Sequence, residues 1–256
     1  MSKADIIKKA ATTEEKLMLS HMYDLYVKSD RINQPAFSDF LTPFECRRVE
    51  ECFYGESLVS FFGGYDDAER KIAVFGQFDP DYHTYPLVKL RIHSKNKEVS
   101  GHRDYLGSIL SLGIDRSRIG DIVIFDTYAI VFCMEDMADY IIYNLKKVNN
   151  NNVIIEPYYE ELVFDDNKRF KEEDFTVSSL RLDCVVSAFT KKSRTMASEF
   201  IREKRVFLNY AIGENPSQKI SSGDVISVRG IGKGKIYTDN TLTKKGRIHI
   251  KIKYYI

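Results

Sequence analysis

RLDCVVSAFTKKSRTMASEFIREKR, from Arg181 to Arg205, is the stretch on which the reading of this chain turns. Leu182, Val185, Val186 and Phe189 fall at i, i+3, i+4 and i+7, so a helix through them presents four apolar side chains on one face and leaves Arg181 pointing away. Ser193 suits the N-cap of a second helix running to about Lys204, with Met196, Ala197, Phe200 and Ile201 as its buried side. Arg194, Ser198 and Arg202 then line the opposite stripe at intervals of four. Lys191 and Lys192 directly precede that helix, where their ammonium groups and the free amides of its first turn can meet one phosphate together. Two amphipathic helices with cations gathered at the start of the second make an anion-binding surface.

Past Arg205 the period changes. Val206 to Asn209 and Val225 to Arg229 read as short strands on either side of a turn at Gly223 and Asp224. From Arg247 to Lys253 three isoleucines share one face, while Arg247, His249, Lys251 and Lys253 share the other. RNA contact and an ordinary half-exposed strand account equally well for those last cations. The charge is distributed unevenly: Phe175 to Ile256 holds 10 Lys and 6 Arg against 6 acidic residues, an excess of ten positive charges, and with +1 on the whole chain the remainder carries −9. Such a division points to a polyanion-binding module joined to a body that does not share its task.

Toward the N-terminus, Leu17, Leu19, Met22, Tyr23 and Tyr26 form a helical apolar stripe, Thr42 and Pro43 open another helix, and Gly63-Gly64 marks a break. Ile72 to Phe78 and Leu87 to Ile92 read as a hairpin. His102 to Leu112 follows as a helix with Gly113 at its end, Asp121 to Met134 as two strands, Glu135 to Lys147 as a second helix and Val153 to Ile155 as a closing strand. A four-stranded sheet backed by two helices is the economical arrangement. The charged run from Asp165 to Asp174 reads as a linker. The expected fold is α+β, with an N-terminal α/β domain over 1–68, a middle domain over 69–164, the linker over 165–174 and a basic domain over 175–256.

At 256 residues and 43% hydrophobic, the chain can bury more than one core. It has no run of eighteen apolar residues and no signal-peptide core, so a cytoplasmic protein without a membrane partner is expected. Cys46, Cys52, Cys133 and Cys184 show no CxxC spacing and read as reduced core thiols.

The residues Arg181-Leu182-Asp183, Ser193-Arg194 with Ala197 and Ile201, Val206 with Asn209, and Gly223-Asp224-Val225-Ile226-Ser227-Val228-Arg229-Gly230 resemble the S-four RNA-binding domain. Lys204 and Tyr210 stand where that domain usually has Gly. The resemblance implies RNA contacts from Arg181, Lys191, Lys192, Ser193, Arg194, Arg202 and Arg205, and Ser198, Lys204, Arg229 and Lys233 are candidate RNA-binding residues beside them. Phe62-Gly63-Gly64-Tyr65, Ala68-Glu69-Arg70-Lys71, Gly101-His102-Arg103-Asp104-Tyr105-Leu106-Gly107 and Ile119-Gly120-Asp121-Ile122 resemble the bacterial YlmH family, as do Gly230 and Lys244-Lys245-Gly246-Arg247-Ile248. That resemblance implies an RRM-like, ferredoxin-like middle domain and a monomeric, non-catalytic factor without cofactor or metal. It also implies binding to the large ribosomal subunit, its rRNA and tRNA, in ribosome-associated quality control of stalled translation by C-terminal tail elongation.

An RNA-binding sheet of this type would display aromatics in a Lys/Arg-Gly-Phe/Tyr-Gly/Ala-Phe strand, which the sequence lacks, so Phe75, Phe78, Tyr128 and Phe132 read as core. Enzyme readings find little support. His102-Arg103-Asp104 has Ile109 where a kinase loop needs Asn, and Gly230 to Lys235 fits neither GxxxxGK[ST] nor GxGxxG, so it reads as a flexible basic hairpin. A pseudouridine synthase would need a committed catalytic aspartate; Asp104 and Asp121 read instead as cap or turn residues. The remaining alternative is a protein-interaction factor linked to cell division, worked by the acidic N-terminal two-thirds.

Overall fold

The computed structural model describes residues 2–55, 59–94, 99–162, 170–239, 241–244 and 246–255, and the chain divides into two units, Met1–Leu162 and Val163–Ile256. The first unit opens with α1 (Lys3–Lys8), α2 (Thr13–Ile32), β1 (Ala36–Leu41), α3 (Pro43–Phe53), β2 (Val59–Phe62) and β3 (Lys71–Phe75). Thr42 caps α3 with Pro43 in its first turn, as the sequence predicts, and Glu45 completes a capping box. In α2, Leu19 and Met22 are buried but Leu17 is 70% exposed. Two residues apart on a helix cannot share a face. Glu15, four residues before Leu19, takes the inner position and is held by Arg48 at 2.5 Å.

The three strands pair antiparallel in the order β1-β3-β2. The expected hairpin between Ile72–Phe78 and Leu87–Ile92 does not form. Ile72, Ala73, Val74 and Phe75 are all fully buried, as suits a central strand; β3 pairs on both edges with β1 and β2, and Ala73 and Phe75 pack against Ile6, Leu19, Val49 and Phe53.

The unit continues with β4 (Leu87–Ser94), α4 (His102–Leu110), β5 (Ile119–Ile124), β6 (Ala129–Met134), α5 (Glu135–Asn144), β7 (Lys147–Val148) and β8 (Asn151–Pro157). The sheet order is β5-β6-β4-β8-β7, antiparallel throughout: five strands where four were expected, without the Ile72–Phe78 run and with the short β7. Leu90, Ile92, Ala129, Val131 and Cys133 face α4 and α5. Asp121 accepts from Tyr65 Oη at 2.8 Å, Glu69 N at 2.7 Å and Arg70 N at 3.1 Å, tying the segment before β3 onto β5. Asp104 caps α4 by accepting from Gly101 N at 3.0 Å. Asp104 thus does the capping work expected of it, whereas Asp121, expected at a cap or turn, lies within β5 and binds a segment distant in sequence. Half-buried Arg70 donates to the carbonyls of Phe40 and Ile119. Burial draws the neighbouring Arg116 guanidinium down to about 10.

The second unit holds β9 (Phe170–Val177), α6 (Leu182–Thr190), α7 (Arg194–Arg202), β10 (Val206–Leu208), β11 (Ala211–Ile212), β12 (Val225–Val228), β13 (Gly232–Tyr237) and β14 (Ile248–Tyr255). Its antiparallel sheet runs β11-β10-β12-β13-β14-β9. Residues 170–174, expected in the linker, instead open β9, which pairs with β14 from Ile248↔Val177 to Tyr255↔Phe170; 165–169 lie outside the described residues. Mixed charge reads as solvated in isolation, but here Glu172 and Asp174 face Lys253 and Lys251 across the ladder.

The glycine-rich run after Gly230 forms the expected basic hairpin, β12–β13, but not a flexible one, since Gly232–Tyr237 pairs on both edges. The four apolar positions of α6 are buried with Ala197, Phe200 and Ile201 of α7 against Val206, Ile226, Val228, Ile236, Ile250 and Ile252. Met196, expected inside, is 40% exposed. The four cysteines are free thiols, three of them buried. Among the described residues no helix is long and apolar enough to cross a membrane.

Candidate nucleic-acid interface

Ser193 caps α7, its hydroxyl accepting from Met196 N at 3.3 Å. Among the described residues the amides of Arg194 and Thr195 have no acceptor, so the helix start presents open N–H groups. Lys191 ends α6 in the left-handed region at φ 56°, turning the chain directly into α7. Lys191, Lys192, Ser193 and Arg194 are all exposed there. Lys192 has no ion-pair partner among the described residues, whereas Lys191 reaches Glu173 at 2.7 Å. The structure therefore brings this predicted group together at one helix mouth. Arg202 is exposed and Ser198 half-buried on the outer stripe of α7.

Asp183 organises the cluster. It is 4% exposed, and its carboxylate accepts from Arg194 at 2.5 Å, from Arg181 at 3.2 Å and from Cys184 N at 2.9 Å. Burial pulls this carboxyl upward, but hydrogen bonds from Arg194 and Arg181, aided by their charges, outweigh it and hold the group below its ordinary value. The two arginines remain about half exposed, anchored on one side and open to solvent on the other.

Lys204 and Tyr210 keep the glycine-type geometry without glycine, at φ 55° and 69°. Lys204→Gly is expected to raise the unfolding free energy by about 0.5–1 kcal/mol, because a left-handed side chain carries steric strain that glycine lacks; urea denaturation of the full chain measures it. Asn209 fastens the same turn, accepting from Val225 N at 2.9 Å and donating to Asp224 at 2.8 Å. These motif residues hold backbone. Arg205 lies over the Phe200 ring at 4.5 Å and donates to the Arg229 carbonyl at 3.1 Å, linking α7 to the β12–β13 turn.

Arg229 and Lys233 belong to a different face. Arg229 lies over Phe207 at 5.8 Å, and Lys233 over Tyr210 at 4.5 Å and Tyr255 at 4.9 Å, on the side of the sheet away from the helices. Sequence reasoning missed Lys235, Tyr237, Tyr255 and Phe170 there. The alternation in β14 was visible, but the glycines of β13 hid its half of the pattern.

In the first unit, Phe132 is fully buried beneath Tyr65, whose ring stacks on it at 5.2 Å, as befits a core residue. Phe75 is buried too, but Phe78 and Tyr128 are only half-buried. Arg91 packs over Tyr128 at 4.8 Å and Lys89 over Tyr158 at 5.6 Å. Among the described residues no group of three or more His, Cys, Asp or Glu side chains could hold a metal ion.

Comparisons with known proteins agree with this architecture. Residues 80–161 match the family model described as "Putative RNA-binding domain in YlmH". Over 215 residues, 82% of this chain and 83% of the relative, the sequence is 31% identical to the ribosome-associated protein quality control protein P2 of Bacillus subtilis. The solved cell division protein ylmH from Streptococcus pneumoniae has a similar fold, with a TM-score of 0.51 at 19% identity over 59% of this chain and 94% of that one.

Proposed function

The chain belongs to the YlmH family, and from that premise we propose that it is a non-catalytic RNA-binding factor of ribosome-associated quality control, engaging large-subunit rRNA and tRNA while C-terminal tails are added to stalled chains. In this reading the first unit comprises an N-terminal α/β domain and an RRM-like middle domain, with the boundary expected at 68 moved beyond β3 because β3 pairs with β1 and β2. The second unit is the S-four domain, a monomeric module working in the cytoplasm.

One observation carries the proposal: Lys191, Lys192 and Arg194 are exposed around a helix start with open amides, within a segment carrying ten excess positive charges. A phosphate placed there meets ammonium groups, a guanidinium and helix N–H donors together. Arg181, held by the same carboxylate as Arg194, extends the surface along α6, and Arg202 extends it along α7. Catalysis by Asp104 or Asp121 finds no support, since each is committed to backbone amides.

Replacing Lys191, Lys192 and Arg194 together by Ala tests the assignment by sedimentation with large ribosomal subunits. Association should weaken at least tenfold. The slope of log affinity against log salt should become shallower by about two to three, the loss of that many phosphate contacts. Unchanged association and slope would refute the surface.

A further inference from the structure

In the second unit's sheet, Ile236, Ile250 and Ile252 pack toward α6 and α7, so Lys235, Tyr237, Lys251 and Lys253 project from the opposite face. On that face Lys235 stands directly across the ladder from Lys253. Both are half-buried, and like charges set directly opposite weaken a sheet. Among the described residues neither has an ion pair. The carboxylates of this face, Glu172 and Asp174, sit on the β9 edge, where Lys251 takes Glu172 at 3.1 Å.

The two ammonium groups lie instead beside rings, Lys235 at 5.6 Å from Tyr237 and Lys253 at 4.2 Å from Phe170. Lys233, on the same face, lies between Tyr210 and Tyr255. Glu172, across the β14–β9 ladder from Lys253, is already taken by Lys251, so a half-buried repelling pair that no carboxylate bridges is completed by an anion. Rings interleaved with cations suit an anion that also carries flat bases.

We infer that this outer face binds a single-stranded RNA segment, with backbone phosphates on Lys235 and Lys253 and bases stacked on Tyr237 and Tyr255. It is a second RNA surface, on the far side of the sheet from the helix mouth, and it deepens the RNA-binding reading given above. The acidic β9 edge confines the strand to a path along β13 and β14.

The test is the full-length variant Lys235→Gln with Lys253→Gln, which removes both charges and keeps both stems. The probe is a single-stranded oligouridine of about 12 nucleotides, within the usual range of nonspecific binding sites. Wild type should bind it with a salt slope about 1.4 steeper than the variant, two phosphates at about 0.7 each. Relief of the repulsion should leave the variant's melting temperature no lower, Lys235→Arg with Lys253→Arg should retain binding, and photocrosslinks should map to Gly232–Tyr237 and Ile248–Tyr255.

Wild-type affinity in the Gln pair, crosslinks confined to 181–205, or a lowered melting temperature would each overturn the inference. The helix-mouth triple variant separates the two readings. It should lose ribosomal subunits yet keep oligouridine. If it loses both while the Gln pair keeps oligouridine, the outer face is excluded and the ribosomal reading stands. If all variants sediment with subunits like wild type, the ribosomal reading falls, and the oligouridine result alone judges the outer face.

Discussion

Asp183→Ala should lower the unfolding free energy of the second unit by about 2–3 kcal/mol, the loss of charge-assisted hydrogen bonds to a buried carboxylate. The value stays below that of a fully buried pair because Arg181 and Arg194, about half exposed, regain water when their partner goes. The amide of Cys184 does not, since that residue is buried. For a unit of this size the melting transition should fall by about 10 °C or more. Hydrogen exchange of the full chain localises the change to α6 and the start of α7.

The pH dependence has a defined sign. Asp183 titrates below its ordinary value of 3.8 in the folded chain, so its stabilisation is complete above that value and disappears as pH falls through the depressed folded one. The stability gap between wild type and Asp183→Asn should be flat from pH 7 to about 5 and close below about 4. A gap that closed near neutrality would exclude the carboxylate as the anchor. RNA affinity should fall as well, since two arginines lose their fixed orientation.

Gly64→Ala should destabilise the first unit by about 3 kcal/mol, from two causes that add. Gly64 sits at φ 96°, where an L side chain carries about 1–2 kcal/mol of strain. A Cβ there would stand 2.3 Å from the ring of Phe132. That ring is fully buried and stacked against Tyr65, so it cannot turn aside, and overpacking of this kind costs about 1–3 kcal/mol. Denaturation of the full chain, with exchange protection followed in β5 and β6, reads the effect. Wild-type stability would mean that the close approach is not maintained in solution.

The helices of the second unit were legible because their apolar residues repeat at three and four and Ser193 announces a cap. Local patterns of that kind survive without knowledge of neighbours. Pairing across distance was less visible. β3 looks like half of a hairpin because Leu87–Ile92 is the next apolar run, yet it is the fully buried central strand of a separate sheet, paired on its two edges with β1 and β2. The residues 170–174 look solvated until β14 is placed beside them. Leu17 and Met196 were assigned inside from spacing alone, and both lie outside because adjacent residues had already filled the inner stripe. For the candidate site, the cations were readable, but Asp183 as their common anchor was not. A carboxylate two residues from one arginine and eleven from another gains its meaning only when α6 and α7 fold back on each other.

The long ladder between β9 and β14 also governs the order in which this unit can be made. Phe170 emerges early and finds Tyr255, its partner, only after the intervening helices and four strands have been synthesised. Until then β13 carries one unsatisfied edge and β9 has no partner strand, a state open to mispairing with other nascent chains. The last step of folding is therefore the closing of a seam between the first and last strands of the unit, and contacts so far apart in the chain form slowly.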